Sequence, residues 1–167
     1  MLGNTLLGAR LKDLRTVLAY LAARQDLSGA RLAVWGDSFA PANPPRLLLD
    51  ELPAWQIGPQ VQYQAEPLGG LLAILAGLYD DRVRAVAVRG GLDAYFSLFD
   101  AHFLYIPADA VVPGILEAGD ISDVVAALAP RPTLLESLVD GRNRRVRGED
   151  GTVNVGRWLL SHLADSR

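Results

Sequence analysis

The chain of 167 residues has no cysteine, which excludes disulfides, zinc–thiolate centres and a cysteine nucleophile. It has two histidines, His102 and His162, so any histidine base must be one of these. No apolar run reaches the 18 residues that a membrane-crossing helix needs, and no membrane partner is expected. Neither charge dominates: 16 basic residues face 19 acidic ones, a net charge of −3, without the basic patch that nucleic-acid binding requires. Lys12 is the one lysine, and the other basic side chains are arginines. The amino terminus places Arg10, Lys12 and Arg15 inside a helical pattern and lacks a signal-peptide layout, so a cytoplasmic protein is expected. The adjacent acids Asp80-Asp81 and Glu149-Asp150 have no histidine close in sequence, and no metal is expected. Gly69-Gly70 is followed by no Lys-Ser/Thr and lacks dinucleotide-site spacing, and no cofactor is expected.

What is present is apolar material in regular patterns. Half of the residues are hydrophobic, enough for a sizeable core, and the length fits one domain over residues 1–167. Leu7, Leu11, Leu14, Leu18 and Leu21 recur at spacings of four and three, which predicts a helix over 4–25. Short apolar runs predict strands near 31–36, 83–89 and 133–139. Further helices are expected near 67–79, 120–128 and 155–164, with Asp120 as an N-cap and a helical piece from Leu92 to Phe99. Residues 41–66 carry Pro41, Pro44, Pro45, Pro53 and Pro59, and Pro67 follows. Such a stretch can form neither a helix interior nor a central strand and predicts an irregular excursion. The Arg- and Gly-rich residues 141–152 predict a mobile loop. Alternating helices and strands imply an α/β fold with a parallel sheet between helical layers.

Chemistry in such a sheet gathers at the carboxyl edge of the strands. The predicted first strand ends in Gly36-Asp37-Ser38-Phe39-Ala40, a serine one residue beyond a glycine, at a sharp turn off a rigid strand. Ser38 is therefore the candidate nucleophile, and a turn-forming serine bonded to backbone is the alternative. The third strand ends at Asp140, which could orient a base, or could only open the turn Asp140-Gly-Arg-Asn143. His102 lies in the loop before Asp140 and His162 in the last predicted helix.

These blocks, with Gly69-Gly70 on a helix, Arg82-Val-Arg-Ala-Val and Leu128-Ala-Pro-Arg-Pro132 ahead of the strand ending in Asp140, resemble the second half of an α/β-hydrolase. The subgroup resembled is the acetyl xylan esterase-like and prolyl-oligopeptidase-like hydrolases. The resemblance covers most of residues 5–140, with the excursion as an insertion. It implies a truncated three-layer αβα domain and a small-molecule ester as substrate. Ser38 would be the nucleophile, Asp140 the triad acid, and the Phe39 N–H one oxyanion donor. Two departures stand out. One helix precedes the elbow where the family has several strands, and the triad histidine is missing after Asp140. His102, out of the family's order, is the residual candidate base. A weak or inactive esterase is therefore expected, self-associating or belonging to a larger hydrolase chain. The alternatives are a catalytically dead binding or assembly domain and a GDSL-type esterase. The latter wants Asp-x-x-His near the end, where this chain has Leu159-Leu-Ser-His162.

Overall fold

The computed structural model describes residues 5–46, 62–100, 102–146 and 153–164. Its core is a three-stranded parallel sheet in the order β1 (Leu32–Asp37), β2 (Val83–Arg89), β3 (Thr133–Glu136). Helix α1 (Leu6–Ala23) precedes β1, α2 (Leu68–Tyr79) joins β1 to β2, and α3 (Ile115–Ala118) and α4 (Ile121–Ala126) lie between β2 and β3. Helix α5 (Val155–Ala164) ends the described chain. The alternation expected from the sequence is therefore present as a small α/β fold. The parallel ladder of β1 on β2 runs from Leu32 opposite Val83 to Asp37 opposite Arg89, with its one irregularity beside Leu32, where Arg84 is passed over.

The helices form where apolar periodicity meets good ends. The Thr5 hydroxyl accepts from the Gly8 N–H at 3.0 Å and caps α1. Asp120 caps α4 in a reciprocal capping box with Asp123 and also accepts from the N–H groups of Tyr95 and Phe96. It thereby ties the loop after β2 to the start of α4. Helix α2 packs on β1 and β2 at unusually close range. A Cβ on Gly36 would stand 2.0 Å from the Gly69 carbonyl oxygen, and one on Gly70 would stand 2.7 Å from Val88 Cγ1. Glycine is needed there because two backbones touch. Arg131, from the Ala-Pro-Arg-Pro run, donates to the carbonyls of Val83 and Gly77 and so clasps the start of β2 to α2.

The sheet is unevenly covered. In β2, Val83, Ala85, Val86 and Ala87 are fully buried, each large side chain contributing about 1.5–3 kcal/mol. In β1 only Gly36 is buried, and Trp35 is 47 % exposed. Of the leucine stripe of α1, Leu7 and Leu18 are buried while Leu11, Leu14 and Leu21 are half-covered. Between α1, α2 and the outer edge of β1 runs an apolar groove of about 700 Å³.

Three expectations are corrected. The third strand stops at Glu136, because Ser137 adopts a left-handed backbone with φ 52°, which breaks the ladder. The piece after β2 is a 3-10 turn over Tyr95–Asp100, placed later than expected. Of the loop expected to be mobile, residues 141–146 are fastened by hydrogen bonds on several sides, as described below. The excursion is irregular where described, and its middle, 47–61, lies outside the described residues. Among the described residues no helix is long and apolar enough to cross a membrane.

Candidate functional site

Ser38 stands one residue beyond β1, at the carboxyl edge of the sheet. Its N–H continues the ladder by donating to the Arg89 carbonyl at 3.0 Å. Its Oγ accepts from the Ala40 N–H at 3.3 Å, a long bond that closes a small turn. Gly90, with φ 69°, gives the serine its room, since a Cβ there would come within 2.7 Å of Ser38 Cβ. Phe39 carries its ring into solvent, 88 % exposed, and among the described residues its N–H donates to nothing. The turn therefore combines a lightly held hydroxyl with an unused neighbouring amide.

Ser38 lines a cavity of about 140 Å³. Ala40, Ala42 and Val139 form its apolar side, and Arg89, Ser137, Asn143 and Arg145 line the rest, so the cavity is largely polar. Ser137 is buried, and its Oγ has no partner among the described residues. A left-handed non-glycine residue with an orphan hydroxyl carries two local costs at one place, and such strain clusters at functional sites. No sequence signal marks it, because a serine near the end of an apolar strand looks like any edge residue.

Asp140 is at the matching end of the third strand run, but its carboxylate is fully engaged. Oδ1 accepts from the N–H groups of Arg142 and Arg144, both at 2.9 Å. Oδ2 takes the Arg144 guanidinium in a fork, at 2.9 Å from Nε and 2.7 Å from Nη2. The turn-opening alternative for this aspartate is therefore realised in full, with an arginine four residues on as its counter-ion. The Asp-x-x-x-Arg spacing is the sequence signal that points to this pairing. His102 is exposed, and among the described residues no hydrogen bond joins Ser38, Asp140 and His102 to one another. His162 stacks on Trp158 with ring centres 4.1 Å apart, and its Nδ1 lies 2.8 Å from the Trp158 carbonyl oxygen, a helix-end arrangement.

Two asparagines that the sequence did not single out hold the loops around the cavity. Asn43 donates to the carbonyls of Tyr63 and Arg142 and accepts from the Tyr63 N–H. Asn143 donates to the carbonyls of Pro41 and Tyr63, and its own carbonyl accepts from the Asn43 N–H at 2.7 Å. Both are buried and each donates both amide protons, which makes a polar staple across three loops. Among the described residues no three His, Asp or Glu side chains come together to hold a metal ion. Compared with protein-family models, curated proteins and solved structures, the chain has no match.

Proposed function

We propose that this chain is a serine hydrolase-like domain of the acetyl-esterase type, built on a truncated three-layer αβα sheet, and weak or inactive as an isolated chain. The observation that supports it is Ser38, held off the end of a parallel strand and lining a small cavity, next to the Phe39 N–H, which has no acceptor among the described residues. In that chemistry the Ser38 Oγ attacks an ester carbonyl, and the Phe39 N–H stabilises the oxyanion. The ester C–O bond then breaks, the alcohol leaves with a proton from water, and a further water attacks the acyl-serine to release the acid and restore the hydroxyl. The weak step is removal of the hydroxyl proton, which here falls to water, since neither histidine bonds Ser38. Loss of the base leaves about 10³–10⁴-fold catalysis over water in triad enzymes. The cavity of about 140 Å³ has room for no more than a short acyl group such as acetyl.

A slow hydrolysis of an aryl acetate, with acetyl found on Ser38 by mass spectrometry and abolished in Ser38→Ala, is the expected result. Hydrolysis unchanged in Ser38→Ala would overturn the assignment. A second proposal, a binding or assembly domain without catalysis, is favoured by Asp140, whose carboxylate is spent on Arg144 and two backbone amides. The GDSL-type alternative gains no support from His162, which is occupied with Trp158 on α5.

A further inference from the structure

Strand β1 pairs with β2 on one side, and among the described residues nothing pairs with its other side. Alternate N–H and C=O groups of a strand edge are directed outward. Among the devices that blunt such an edge are proline, lysine and bulges. Between Arg31 and Asp37 there is no proline and no lysine, and the one register irregularity, between Leu32 and Ala33, has its extra residue, Arg84, on β2 and leaves Ala33–Asp37 in unbroken register. The edge borders the apolar groove, floored by Leu14, Val17 and Leu21 of α1 and Leu72 of α2. Trp35 and Phe39 flank it and are exposed. An extended backbone with apolar side chains on one face is what this surface fits.

The sequence of the edge itself selects which backbone. Arg31-Leu-Ala-Val-Trp-Gly-Asp37 is complementary to its own reverse about Val34. If two copies of β1 are set antiparallel with Val34 opposite Val34, Arg31 falls opposite Asp37, a cation against an anion at each end. Leu32 then falls opposite Gly36 and Ala33 opposite Trp35, a large side chain against a small one in each pair. Opposed residues share a face of the sheet. The 32, 34 and 36 positions lie on the face that packs against the core, where Leu32 and Val34 already sit. The 31, 33, 35 and 37 positions lie on the other face, where Trp35 stacks under the Arg89 guanidinium at 5.6 Å. Charge and volume therefore agree on both faces in one register. A shift by one residue would turn the even positions away from the groove.

We infer that the outer edge of β1 is a two-fold interface, at which a second copy of this chain adds its own β1 antiparallel and joins two sheets into one of six strands. A two-fold contact of this kind closes on itself and gives dimers, not fibres. The inference is independent of any chemistry at Ser38.

Sedimentation of the full chain over a range of concentrations is the test, with hydrogen exchange of the 32–37 amides measured in parallel. The expected result is a monomer–dimer equilibrium in which those amides become protected as the dimer forms. Asp37→Arg and Arg31→Asp each replace two attractive end pairs with two repulsive ones and should weaken association about ten-fold. The double variant, which restores opposite charges, should recover it. Arg31 also donates to the Leu163 carbonyl, and recovery in the double variant separates a pairing effect from loss of that bond. A chain that stays monomeric at all concentrations would overturn the inference. So would open-ended assembly, a dimer whose β1 amides exchange as in the monomer, or single variants that associate unchanged.

Discussion

The ends of β1 and β3 reach the same edge of the sheet and are held in opposite ways. At the end of β1 the Ser38 hydroxyl has one long bond of 3.3 Å and the next amide no acceptor among the described residues. At the end of the β3 run the Asp140 carboxylate takes four hydrogen bonds, two of them from one guanidinium. The first is lightly held and contributes little to stability; the second is fixed and its oxygens are taken. A hydrolase triad needs the serine poised and the acid available. On the proposed reading only the serine is left open, and that contrast is why a weak or inactive site is proposed.

The contrast can be broken most sharply at Asp140. Asp140→Ala would leave two backbone amides and two N–H groups of a half-buried guanidinium without their acceptor, while Arg144 keeps its bond to the Pro45 carbonyl, and a loss of about 2–3 kcal/mol is expected by chemical denaturation. A small loss would mean that the loop refastens through water and that the carboxylate is freer than its bonds indicate. The loop after β2 ranks next. There Tyr95 is buried and donates its phenol proton to the Ala110 carbonyl at 2.6 Å, and burial pushes the phenol up to about 12. The folded phenol titrates above its ordinary value of about 10. Its contribution is therefore complete below pH 10 and is lost as pH rises towards 12. The loss amounts to roughly 2–3 kcal/mol. Unfolding midpoints followed from pH 9 to 12 should fall over that window in the parent chain and stay flatter in Tyr95→Phe.

Smaller effects test the same contrast at the cavity. Ser137→Gly removes both the left-handed strain and the orphan hydroxyl, partly offset by the freedom glycine gains when unfolded. A net gain of about 1 kcal/mol, or about 2–4 °C in Tm, is expected by calorimetry. A loss would show that the hydroxyl is bonded after all. Ser38→Ala should leave stability within about 0.5 kcal/mol of the parent, since only one long bond goes. A larger change would mean that Ser38 is a structural turn residue and that its exposure to the cavity is incidental.

Much of the fold was legible because it is written in apolar periodicity. The leucine spacing located α1, and the short runs around Val34 and Val86 located β1 and β2 to within a residue or two. Asp120 was legible as a cap because an acid ahead of an apolar helix has one common use. The edge of the site was not legible, for three physical reasons. The left-handed turn at Ser137 has no glycine to announce it. The Asn43 and Asn143 staple joins residues remote in sequence, and loop asparagines carry no periodic signal. Asp140 has the same sequence surroundings whether it orients a base or clasps Arg144; only the positions of its neighbours separate the two. Ser38 itself was legible through Gly36, whose missing side chain lets the α2 backbone approach.

The asparagine staple also fixes the chain topologically. Asn43 bonds both the carbonyl and the amide of Tyr63, so the polypeptide leaves the sheet and returns to it at one point. Whatever runs from 44 to 62 is, for the rest of the molecule, a loop whose ends are already joined. The entropy of closing such a loop grows only with the logarithm of its length, about 0.6 kcal/mol for each doubling. The closure cost therefore depends little on the length of that stretch. The joined pair Asn43 and Tyr63 acts as a port, where a change of length costs the chain little ordering entropy beside the strand end that carries Ser38.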